Sequence, residues 1–187
     1  MTKNKTKSLE EKIEKCHQCP LWKKRTNSVP GEGNPKTRII FIGEAPGKNE
    51  DLTGHPFVGQ AGKLLNKLLK LADLKRNKIW IGSVIKCRPP KNRPPKPQEL
   101  KACKKWINKQ IKTIKPKIIV SLGSFALHHF LPKSVKITQI HGQPKKIIFA
   151  GRKIILLPMF HPAAGLRSAR TKKKLEKDFH KIKTLNL

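Results

Sequence analysis

Four short runs of consecutive apolar residues constrain this chain more than any other feature. They are Arg38-Ile39-Ile40-Phe41-Ile42, Ile79-Trp80-Ile81-Gly82-Ser83-Val84-Ile85, Lys117-Ile118-Ile119-Val120-Ser121-Leu122 and Lys153-Ile154-Ile155-Leu156-Leu157-Pro158-Met159. These runs are rich in β-branched residues and do not alternate with polar ones. Strands of this kind are buried on both faces, as in a mostly parallel sheet with helices on each side. The segments between them carry the complementary signal. Leu64, Leu65, Leu68, Leu69 and Ala72 recur at helical spacing, as do Leu100, Cys103, Ile107, Ile111 and Ile114, which stop before Pro116. A short helix is expected over Ser124–Phe130 and a basic one over about Ser168–Lys183, with an irregular or hairpin segment over residues 135–150.

In such a sheet, ligands bind beyond the carboxyl ends of the strands. Gly43-Glu44-Ala45-Pro46-Gly47-Lys48-Asn49-Glu50-Asp51 follows the first strand and is the expected centre of a site, because glycine and proline let backbone approach a ligand. The loops after the first, second and fourth strands leave the same sheet edge, so Glu44, Ser83, Cys87 and His161 are expected on one side of the molecule.

The 187 residues suffice for one domain of about 150 residues with a real core. Residues 1–7 read as a disordered basic tail and residues 8–187 as a single domain. Ser8 and Glu11 have capping-box spacing before a short helix over Leu9–Lys15. No apolar run approaches the roughly 20 residues that span a bilayer. No secretory signal is visible, and a cytoplasmic location is expected. With 43 Lys and Arg against 11 Asp and Glu, the net charge of +32 points to a polyanionic partner, nucleic acid first.

Four cysteines in such a chain suggest metal or catalysis rather than disulfides. Cys16 and Cys19 form a C-x2-C pair; Cys87 and Cys103 are far away in sequence. A close pair grips zinc or one edge of an iron–sulfur cluster, and spacing does not choose between them. Cys87 and Cys103 also suit a role as small core residues. His161, at the end of the fourth strand before Pro162, is placed to stabilise an oxyanion on a leaving group, or simply to cap a helix. Phe57, in Gly54-His55-Pro56-Phe57-Val58-Gly59, is placed to stack on a base or to anchor its loop in the core. Glu50 and Asp51 are a carboxylate pair for metal or water activation, or only charge balance. The chain has too few carboxylates together for a magnesium nuclease.

Taken in order, these segments resemble the family 4 uracil-DNA glycosylases, which carry an iron–sulfur cluster. The resemblance rests on Cys16-x2-Cys19-Pro20-Leu21, Val29-Pro30-Gly31-Glu32-Gly33-Asn34, Gly43-Glu44-Ala45-Pro46-Gly47 with Glu50-Asp51, Pro56-Phe57-Val58-Gly59-x-Ala61-Gly62, Lys86-Cys87-Arg88-Pro89-Pro90 and His161-Pro162-Ala163. It covers about Cys16 to Lys183. It implies a three-layer αβα fold with a four-stranded parallel sheet, and a [4Fe–4S] cluster on Cys16, Cys19, Cys87 and Cys103. It also implies uracil flipped from DNA over Gly43, Glu44, Ala45 and Gly47, stacked on Phe57, with His161 donating to its O2. Glu44 takes the position associated with the attacking water or the sugar cation.

Extrusion of a base costs a few kcal/mol, and the remaining phosphates must be held. Lys86, Arg88, Lys91, Arg93 and Arg167 are the expected phosphate contacts, and Leu166 the wedge that fills the vacated stack. The implied partner is uracil-containing DNA, single- or double-stranded, bound by a monomer.

Ser83 departs from the family, which usually has Asn there to read the uracil edge. A hydroxyl is shorter and offers less than an amide, so broadened preference toward hypoxanthine or xanthine is an alternative. A related group binds its product covalently through a histidine in the loop after the second strand. Arg88–Gln98 contains none, so turnover without a stable adduct is expected. A non-catalytic iron–sulfur nucleic-acid-binding protein is the remaining rival, though it would not need Glu44, Phe57 and His161 together.

Overall fold

The computed structural model describes residues 2–185. Six strands form one sheet: β1 (Glu32–Gly33), β2 (Ile39–Gly43), β3 (Trp80–Ser83), β4 (Ile118–Leu122), β5 (Lys145–Phe149) and β6 (Arg152–Met159). Their order is β1-β3-β2-β4-β6-β5. The four expected strands are the central, mutually parallel ones. The sheet is larger than four strands because β1 and β5 add antiparallel edges. A two-residue strand carries no readable pattern. β5 lies mostly exposed, so its Lys-Lys-Ile-Ile-Phe run obeys edge rules rather than core rules.

Burial on both faces follows from the unbroken apolar runs. In β2, Ile40 and Ile42 enter one core with Trp80, Trp106, Ile107 and Leu156, while Ile39 and Phe41 enter another with Leu65, Leu68, Val120 and Phe179. The first face is covered by α1 (Thr2–Glu14) and α4 (Pro97–Ile114), the second by α3 (Gln60–Leu71) and α8 (Ala169–His180). Shorter helices are α2 (Lys48–Thr53), α5 (Ser124–Leu127), α6 (Ile137–Ile140) and α7 (Pro162–Arg167).

The N-terminal expectation needs correction. Helix α1 already begins at Thr2, well before Ser8, so the described part of residues 1–7 is helical rather than a disordered tail; Met1 lies outside the described residues. Thr6, Leu9 and Ile13 form a thin buried stripe among lysines, and this stripe docks α1 on α4. Helix stability here comes from that contact rather than from local propensity.

From β2 the chain steps to β3 on one side, and later to β4 on the other. That reversal opens a crevice beyond the carboxyl ends of β2 and β4, where an open α/β sheet binds its ligand.

Candidate active site

The crevice holds a pocket of ≈ 480 Å³, within the usual range for small-molecule sites. Glu44, Ala45 and Gly47 line it from the loop after β2, Ser83 from the end of β3, and His161 from the turn after β6. Phe57, Asn92 and Arg167 are among its other walls. Three turns distant in sequence therefore converge. Cys87 leaves the same edge but faces a different cavity.

The loop after β2 is held by a carboxylate. Glu50 accepts hydrogen bonds from the backbone N–H groups of Gly47 (3.1 Å), Val58 (2.9 Å) and Gly59 (2.8 Å). Asp51 is buried and accepts from Thr26 N–H at 3.0 Å. These carboxylates thus organise loops; they do not form the metal or water site considered from sequence. A second clamp is Arg76, whose guanidinium donates to the carbonyls of Pro56 and Phe57 and pairs with Glu32 at 2.8 Å.

Phe57 is 7% exposed and sits at φ 52°, a costly backbone for a bulky residue, sustained here by the Glu50 and Arg76 clamps on either side. Its ring lies against the His161 ring, centroids 5.6 Å apart and planes 26° from parallel. Gly43 permits this: a Cβ there would stand 2.6 Å from Phe57 Cζ. Gly62 is needed likewise, since a Cβ would meet the Phe57 carbonyl oxygen at 1.8 Å.

His161 caps α7, and its Nδ1 accepts the Ala163 N–H at 3.1 Å. An accepting Nδ1 leaves the ring proton on Nε2. Burial, with Arg167 nearby, pulls the imidazole pKa down to about 4. At neutral pH the residue is an uncharged Nε2–H donor. The Glu44 carboxyl is half-buried, and burial raises its pKa.

The expected phosphate contacts divide. Lys91 and Arg167 are exposed, and Leu166 projects with 52% exposure. Arg88 is partly engaged, its Nε donating to Asn92 Oδ1 at 2.7 Å. Arg93 makes a two-pronged pair with the buried Glu99, at 2.6 and 2.9 Å. Lys86 is a correction. It is 1% exposed, its Nζ donates to the Pro30 carbonyl at 3.1 Å, and no phosphate can reach it. Asn92 and Arg76 have no role in the sequence reading, where Glu50 stands as a candidate for metal or water activation rather than as a loop clamp. Asn92 sits in a Pro-rich loop at φ 55°, a backbone state which that residue type tolerates and which was its only available signal.

Cys16, Cys19, Cys87 and Cys103 all line a second cavity together with Lys86 and Trp106. Among the described residues, no three His, Cys, Asp or Glu side chains stand close enough to hold a single metal ion. Four cysteines around one shared cavity are a donor set suited to an iron–sulfur cluster. N–H groups already point at two sulfurs: Arg25 Nη1 to Cys87 and Trp106 Nε1 to Cys16, each at 3.2 Å. Burial raises the Cys19 and Cys87 thiols and pushes Cys103 up to about 12, so thiolates there require a bound cation. His17 is exposed, its ring against Trp22, and stands outside this lining.

Fold and pocket together define a doubly wound α/β protein whose site, at the switch point of the sheet, sets a neutral imidazole donor beside an aromatic ring. The family described as "Uracil DNA glycosylase superfamily" matches residues 30–183. A type-4 uracil-DNA glycosylase of Sulfurisphaera tokodaii is 44% identical over 182 residues, covering 95% of this chain and 83% of its own. One from Thermotoga maritima is 48% identical over 161 residues, 86% of this chain and 82% of its own. A type-5 enzyme from Thermus thermophilus is 35% identical over 127 residues, 60% and 56% respectively. The chain belongs to the uracil-DNA glycosylase superfamily, and within it to the type-4 enzymes.

Proposed function

We propose that this chain hydrolyses the N-glycosidic bond of uracil in DNA, leaving an abasic site for base-excision repair. The observation that carries the reading is the neutral His161 Nε2–H, held beside Phe57 and the Gly43–Gly47 loop in one pocket of ≈ 480 Å³. Uracil extruded from the stack enters over Ala45 and Gly47 and lies against Phe57. As the bond breaks, its electron pair passes to the base and charge gathers on O2, where His161 donates. A donor fixed in advance stabilises that charge without reorganisation. The cationic sugar left behind takes up water at its anomeric carbon, and the water loses a proton. Glu44, at the pocket wall, is the group for positioning that water or balancing the cation.

Arg167, Lys91 and Arg88 hold the flanking phosphates, and Leu166 fills the gap in the stack. The cysteines hold a [4Fe–4S] cluster that cross-links the N-terminal segment, the loop after β3 and α4; four thiolates leave no open position for substrate. We further propose that the chain, α1 included, acts as one domain and as a monomer on single- or double-stranded DNA in the cytoplasm, associated with the nucleoid. Among the described residues no helix is long and apolar enough to cross a membrane.

Incubation with a uracil oligonucleotide followed by alkali tests the reading. Wild type should give cleavage at the uracil, while His161→Ala should lose most activity and keep its DNA affinity. Equal cleavage by both would overturn it. Ser83, 4% exposed and at the pocket wall, favours a second reading, a broadened base preference. An excision panel over uracil, hypoxanthine, xanthine and thymine mismatches decides between them.

A further inference from the structure

Lys86 has no role in the chemistry above, yet it is among the most deeply buried side chains of the molecule. The residue lines the cysteine cavity, and its ammonium lies 5.7 Å from the Trp80 ring centroid and donates to the Pro30 carbonyl at 3.1 Å. Among the described residues no carboxylate pairs with it. A buried ammonium without a counter-ion is costly, and buried charges in proteins are almost always paired. The other ionisable groups that line its cavity are Cys87, Cys103, Cys16 and Cys19. Four thiolates around an iron–sulfur cube carry net negative charge, and such charge sets both cluster stability and potential.

Lys86 also grips the opposite side. Its own carbonyl accepts the Val29 N–H at 2.8 Å, while its ammonium holds the next carbonyl, that of Pro30. Gln110 Nε2 donates to the same Pro30 oxygen at 2.7 Å. Val29 in turn lines the base pocket. One residue therefore touches both the cysteine cavity and the segment that walls the substrate site.

We propose that Lys86 is the internal counter-cation of the cluster and a positioning residue that ties the cluster to the Val29–Pro30 wall of the base pocket. This rests on the cluster assignment made under Proposed function. Arg25, the other cation at the thiolates, is only half-buried and bonds Cys87 Sγ alongside the carbonyls of Cys16 and Glu14, so water and those carbonyls share its charge. Lys86 has neither.

The test uses the full chain purified anaerobically as wild type, Lys86→Met, Lys86→Arg and Gln110→Met. Iron and sulfide content, cluster midpoint potential, and KM and kcat on a uracil oligonucleotide are measured for each. Removing a fixed positive charge makes an added electron less welcome. Lys86→Met should therefore have a more negative potential than wild type, or lose iron that Lys86→Arg and Gln110→Met retain. Gln110→Met should keep the wild-type potential. Both Met variants should raise KM, by about tenfold, since each removes one donor to Pro30. A fully loaded Lys86→Met with the wild-type potential would overturn the counter-cation role, as would equal loss of iron in all three variants. Unchanged KM in both Met variants would overturn the link to the pocket. Wild type without iron and sulfide would instead remove the cluster assignment itself, and this inference with it.

Discussion

Replacing Glu50 with alanine should damage both stability and catalysis, although the residue touches no substrate in the mechanism above. Its carboxylate holds the N–H groups of Gly47, Val58 and Gly59 at 2.8–3.1 Å. A hydrogen bond to a charged acceptor contributes roughly 1.5–3 kcal/mol. The three are not additive, and Val58 is exposed, so water replaces part of the loss. A net loss of about 2–4 kcal/mol follows for Glu50→Ala. In a chain of this length each kcal/mol shifts Tm by about 2–4 °C, giving a fall of about 4–16 °C. Glu50→Gln keeps one acceptor oxygen but turns an amide N–H toward backbone donors, so about half that loss is expected. Phe57 immediately precedes Val58 and depends on the same clamp for its left-handed backbone, so kcat/KM should fall at least tenfold in Glu50→Ala. Calorimetry and initial rates on a uracil oligonucleotide measure both. A Tm within about 2 °C of wild type, with unchanged kcat/KM, would refute the view that this carboxylate builds the pocket.

His161 gives a pH signature. Its folded pKa of about 4 lies below the ordinary 6.5, so below pH 6.5 the unfolded chain takes up a proton that the native chain refuses. Stability should therefore decline as pH falls from about 6.5 to about 4, and His161→Asn should flatten that decline. For the same reason kcat should show no acid limb near pH 6.5; one that vanished in His161→Asn would contradict a neutral donor. Ser83→Asn should raise the preference for uracil over hypoxanthine and xanthine, and an excision panel identical to wild type would show that Ser83 does not read the base. Arg167→Ala should weaken binding evenly across sequences and reduce the slope of log K against log salt by about 1, as one phosphate contact disappears. An unchanged slope would place Arg167 off the backbone.

Much of this molecule could be read before any coordinates, because the patterns that reveal it are consequences of burial. Ile39 to Ile42 is apolar without interruption because both faces of that strand lie in core, and Leu64, Leu65, Leu68 and Leu69 recur because one face of α3 does. The pocket residues Glu44, Phe57, Ser83 and His161 were legible for a related reason. They stand at or beyond strand ends or between breakers, and an open sheet gathers such positions at one edge.

What the sequence determined by itself was therefore the layering, the central strands, the cysteine set and the edge where chemistry collects. Tertiary structure decided the rest, since it depends on contacts between residues far apart in the chain. Lys86 and Lys91 belong to one basic loop and look alike in sequence; packing against Trp80 and Pro30 buries one, while a left-handed turn exposes the other. Glu50 became a loop clamp only when Val58 and Gly59 folded back on it. The state of His161 required both the Ala163 N–H that fixes its tautomer and the walls that keep it uncharged. Local pattern records how much of a residue is buried on average, but only the fold says which partner it meets there.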